Sequence, residues 1–127
     1  MNGFLLRLPR LCLSVTLAAS VMAPAFALER TPVTSLKPLL IQAINRGESH
    51  GELTGESAKF MRERFGSTAP IEIDVRALRA LAQPGCKRLQ VTTRQKAVRE
   101  TPSQAPADKE LIYQVSYCRD GRFPESK

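Results

Sequence analysis

The chain has a single histidine, His50, no tryptophan, and three cysteines in 127 residues. A zinc centre needs three or four ligands in fixed geometry. One imidazole flanked by acids does not supply that set, so neither a metal nor any other cofactor is expected. No glycine-rich phosphate loop, serine-nucleophile motif or CxxC pair occurs. The usual sequence signs of nucleotide binding, serine hydrolysis and thiol redox chemistry are therefore missing. Aromatic residues are few, two Tyr and five Phe. They form no stacking row of the kind that holds single-stranded nucleic acid, which disfavours nucleic acid as a partner. Beyond residue 27 no apolar run approaches the ~20 residues of a membrane-spanning helix. No transmembrane segment is expected once the N-terminal segment is removed.

That N-terminal segment has its own layout. "MNGFLLRLPR" carries Arg7 and Arg10 and no acid; "LCLSVTLAASVMAP" is apolar; Ala25 and Ala27 place small residues before a cut. This is the three-part pattern of a secretory signal peptide, residues 1–27, with cleavage expected after Ala27. Cys12 follows "PRL", with no small residue before it, which argues against a lipid-modified N-terminus. The expected location is the periplasm or the secreted space. Residues 28–127 should then form one small domain. Removing Arg7 and Arg10 takes the 19 basic residues to 17 against 12 acids, so the net charge falls from +7 to +5. Two cysteines remain, Cys86 and Cys118. An even pair in an exported chain reads as a disulfide.

Hydrophobic spacing outlines the domain. After a Pro-containing lead, "LERTPVT", the residues Leu36, Leu39, Leu40, Ala43 and Ile44 mark one helical stripe. Thr34 or Ser35 is a candidate cap and Gly47 the expected stop. Pro38 fits only the first turn of that helix. "GESAKFMRERF" reads as a second helix capped by Thr54, with Phe60, Met61 and Phe65 as its core residues. "ESHGEL" between them, with His50 and Gly51, reads as a solvated interhelical loop and a possible contact loop. "PIEIDV" alternates apolar and polar residues, as a half-buried strand does. "RALRALAQPG" reads as one or two helical turns, with Leu78 and Leu81 three apart. "CKRLQVTTRQKAV" and "KELIYQVSYCRDG" are rich in strand formers.

Setting Cys86 opposite Cys118 in an antiparallel pair gives a checkable register. Arg94 then opposes Glu110 and Lys96 opposes Asp108. Leu89, Val91, Val115 and Tyr113 share an apolar face expected to meet the helices. Arg88, Arg94 and Lys96 lie on the other face, where acids partly neutralise them. The expected fold is α+β: two N-terminal helices packed on one face of a small three-stranded antiparallel sheet, with one disulfide. The candidate contact residues are His50 and Glu52 in the loop and Arg88, Arg94 and Lys96 on the hairpin.

"APIEIDV", "QPGCKRL", "VTTRQ" and "YQVSYCRDGRFP" together resemble a group of small exported proteins encoded with conjugative-transfer or type IV secretion loci of Gram-negative bacteria. The resemblance implies a periplasmic accessory role and supplies no catalytic residue. The partner expected is a protein, or else an anionic envelope polymer. A non-catalytic binding or assembly factor is the first reading. An exported enzyme inhibitor is the alternative, and a small hydrolase or nuclease working through His50 the weakest.

Overall fold

The computed structural model describes residues 28–126. The expected signal peptide, residues 1–27, therefore lies outside the described residues. In chain order the elements are β1 (Thr31–Val33), α1 (Lys37–Arg46), β2 (Glu48–Leu53), α2 (Gly55–Phe65), β3 (Glu72–Ala80), β4 (Cys86–Val98) and β5 (Ala107–Cys118). They form one five-stranded sheet in the order β1-β2-β3-β4-β5. β1 runs parallel to β2, and every other neighbouring pair is antiparallel. The three-stranded antiparallel sheet expected from sequence is thus corrected to a five-stranded mixed one. The disulfide Cys86–Cys118 is present.

Two segments account for that correction. The proline-containing lead is not irregular, because Thr31–Val33 adds an edge strand. "ESHGEL" is not a loop but β2, next to β3 in the sheet. Its inward positions are Ser49, Gly51 and Leu53, all buried. The first two are small because α1 lies directly on them. Ser49 Oγ donates to the Leu39 carbonyl at 2.6 Å. A Cβ on Gly51 would stand 2.6 Å from Leu39 Cδ1. Close helix approach requires small residues there, and small residues erase the apolar alternation by which strands are recognised.

A further correction is in "RALRALAQPG". β3 continues through it to Ala80, with a register shift between Ala77 and Arg79 that leaves Leu78 exposed. Extension along β4 supplies ladder hydrogen bonds that an isolated helical turn lacks.

The helix α1 behaves as its stripe predicts. Leu39, Leu40, Ala43 and Ile44 are buried, and Gly47 ends the helix in the left-handed region. Its N-cap is Leu36, with no side-chain cap from Thr34 or Ser35. Thr54 does begin α2, but its hydroxyl bonds the Val33 carbonyl instead of the helix. The buried residue of α2 is Ala58, whereas Phe60 is 67 % exposed. α2 joins the core through Ala58 and Met61. Its last turn meets the end of β4, where the Arg99 N–H donates to the Phe65 carbonyl at 2.8 Å. Among the described residues the helices cover one face of the sheet, with α1 over Ile73, Val75, Leu89 and Val91.

The β4–β5 pairing follows the register set by the disulfide from Cys86↔Cys118 to Gln95↔Lys109, including Val91↔Tyr113 and Arg94↔Glu110. It then shifts, and Val98 opposes Ala107. The expected Lys96–Asp108 pair is lost at this irregularity. Ala97 takes a positive φ of 54°, and its N–H is accepted by Asp108 Oδ1. The apolar side of β5 is also less covered than expected. Tyr117 is buried, but Tyr113 is 39 % and Leu111 61 % exposed.

Candidate functional site

Among the described residues the sheet face opposite α1 carries no helix. Strand alternation puts Glu48, His50 and Glu52 of β2 there, together with Glu72, Asp74 and Arg76 of β3. From β4 and β5 come Arg88, Arg94, Glu110 and Ile112. The His50 segment and the basic hairpin face, separate surfaces in the sequence, are therefore one surface. His50, Glu52, Arg88 and Arg94 all project from it. Lys96 lies at its margin beside the β4 irregularity, where it lines a cleft of about 410 Å³ with Glu72, Arg94 and Asp108.

Asp74 is the centre of this face. The pairing of β2 with β3 sets His50 directly opposite Asp74. His50 Nδ1 lies 2.6 Å from Asp74 Oδ1. Arg30, just before β1, reaches across β2 and donates to the same oxygen at 2.9 Å. Its other terminal nitrogen is 3.3 Å from Glu72 Oε2. From the opposite side Arg94 Nη1 donates to Asp74 Oδ2 at 2.6 Å, while its Nε donates to Glu110 Oε2 at 2.5 Å. A chain of charge-assisted bonds thus crosses the sheet from Arg30 through Asp74 and Arg94 to Glu110.

The electrostatics follow from this geometry. Partial burial would raise the Asp74 carboxyl. Hydrogen bonds from His50 and Arg30, reinforced by the charge of both, outweigh it and hold the group below its ordinary 3.8. Arg94 is held above its ordinary value mainly by its hydrogen bond to Glu110.

The other candidates are engaged differently. Arg88 donates to Gln114 Oε1 at 3.1 Å and to Ser116 Oγ at 3.0 Å. Those bonds turn it away from Arg79, its cross-strand neighbour on β3. Glu52 is 4.0 Å from Arg62 of α2. Among the described residues no group of three or more His, Cys, Asp or Glu is arranged to hold a metal ion. No helix among them is long and apolar enough to cross a membrane.

Sequence reading missed Asp74, Arg30 and Glu72. Asp74 was visible as a polar position of "PIEIDV". Its importance depends on β2 being a strand, which brings His50 to its side. Arg30 sits in a lead that only a parallel edge strand makes structural. Comparison with family models, curated proteins and solved structures returns no match.

Proposed function

We propose that this protein is an exported, non-catalytic binding or assembly module that docks a protein partner on its open sheet face. The observation that carries this reading is the ion-paired centre at Asp74. Three donors from three different strands or their flanks converge on one half-buried carboxylate. The side chains around it are held in place before any partner arrives, and preorganisation lowers the ordering cost of association. A face of interleaved charges selects a partner of complementary pattern more than it supplies raw affinity. The disulfide suits an oxidising compartment, and the N-terminal signal pattern suits the periplasm. The resemblance to proteins of conjugation and secretion loci would make that partner a subunit of an envelope-spanning machine.

The test is capture from periplasm with the full chain and with the variants Arg94→Glu and Arg88→Glu, scored against thermal unfolding. Capture of machine subunits by the parent, lost in Arg94→Glu at unchanged folding, is the expected result. Equal capture by all three proteins would move the binding surface off this face.

A hydrolytic reading draws on the same His50–Asp74 pair, since a carboxylate on Nδ1 orients an imidazole for base catalysis. It is the weaker reading because the hydroxyl beside the pair, that of Thr92 opposite Asp74 on β4, is buried. The neighbouring Ser49 is buried on the opposite face and bonded to Leu39. Hydrolysis of a chromogenic ester or nucleotide that disappears in His50→Ala would favour it.

A further inference from the structure

Among the described residues β5 is an edge strand of twelve residues. Its alternation can be followed from its C-terminal end. The Arg119 N–H donates inward to the Gly85 carbonyl, whereas the Cys118 N–H donates outward to Arg122 and the Cys118 carbonyl accepts from Gly121. The register holds without a shift from Cys118 back to Lys109. Antiparallel strands alternate regularly. The N–H and C=O groups of Glu110, Ile112 and Gln114 therefore point away from the sheet. The C-terminal turn closes the edge at Cys118 and leaves this stretch open.

The side chains of the same stretch are apolar and uncovered: Leu111 is 61 %, Ile112 54 % and Tyr113 39 % exposed. No proline or bulge interrupts the edge between Glu110 and Tyr117. Proteins ordinarily blunt such an edge.

We propose that this edge pairs with a second copy of the chain, β5 against β5 in antiparallel sense, about a two-fold axis through Ile112. The edge is its own complement in that register. Ile112 meets Ile112 on the open face, and each Leu111 meets Tyr113 of the second copy on the other. Glu110 opposes Gln114 and Lys109 opposes Val115, so no like charges face each other. A slip of one residue sets outward backbone groups against inward ones. A slip of two in one direction brings Glu110 against Ile112. The same slip in the other direction runs the strand into the C-terminal turn. The result is a continuous ten-stranded sheet whose two open faces lie on one side, doubling the charged surface around Asp74. This pairing rests on the edge strand alone and is independent of the docking role proposed for that face.

Sedimentation of the protein, expressed from the full-length chain in an exporting host, tests the assembly. A mass doubled with rising concentration is expected. Ile112→Pro removes only an outward N–H and should give the single-chain mass with the disulfide and circular dichroism retained. Ile112→Lys keeps the N–H, sets two like charges at the axis, and should do the same if the proline variant fails to fold. Single cysteines read the register. Ile112→Cys should cross-link to itself, whereas Leu111→Cys and Tyr113→Cys should not, because their like positions lie beyond the ~7 Å that a disulfide spans. A parent that stays at single-chain mass, a dimer unaffected by both Ile112 variants, or self-linkage at 111 or 113 overturns the proposal.

Discussion

The two edges of the sheet are built on opposite terms. β1 is three residues long, contains Pro32, and runs parallel to β2. Val33 is buried, and Arg30 beside it is tied to Asp74. β5 is twelve residues long, apolar at its centre, and open to solvent along Glu110–Gln114. Short length and proline silence the first edge, and β5 has neither along Glu110–Gln114. The ionic chain through Asp74 links the two edges: it begins at Arg30 and ends at Glu110 of β5.

The largest effect is expected at the disulfide. It fastens the C-terminal end of β5 to the start of β4. Replacing either cysteine by serine should cost about 2–5 kcal/mol in urea unfolding, because the unfolded chain regains freedom. Amide exchange should then rise first along β5 and leave β1 and β2 protected.

Next in size is the centre that joins the edges. Asp74→Asn takes the carboxylate from Arg30, His50 and Arg94 and should cost about 1–3 kcal/mol at neutral pH, by the loss of charged hydrogen bonds. The pH dependence has a definite sign. The folded carboxyl titrates below 3.8, so its contribution is complete above that value and disappears as pH falls through the lower folded one. The difference in urea midpoint between parent and variant should therefore shrink only in that acid range. A difference that shrinks near neutrality would assign the effect to another group.

Matched truncations sharpen the contrast directly. Val33→Ala at the closed edge removes buried methyl groups and should cost about 1–2 kcal/mol. Leu111→Ala at the open edge should stay within ~0.5 kcal/mol for the separate chain, as exposed positions usually do. Chemical unfolding at low protein concentration compares them, and equal costs would mean that the open edge is covered.

The smallest effect belongs to the end of the ionic chain. Glu110→Lys breaks the pair with Arg94, whose two side chains are each nearly half exposed. It should cost less than ~1 kcal/mol, and less still at high salt.

Much of this molecule was determined by local sequence. α1 follows from its apolar stripe and the Gly47 stop, and Pro38 places its first turn. The β4–β5 register follows from two cysteines and period-two alternation, since a slip of one residue would exchange every side chain between faces. These features depend on residues near in the chain or covalently joined. The tertiary structure alone decided that "ESHGEL" is a strand. Its inward positions are small because α1 needs the space, and that demand comes from a neighbour. It alone decided that Leu78–Ala80 is extended, because β4 offers a ladder there. Only the fold brings Arg30, His50, Asp74 and Arg94 together. Their separation along the chain is closed by sheet pairing, and a carboxylate's partners are set by the donors that the fold delivers within hydrogen-bonding distance.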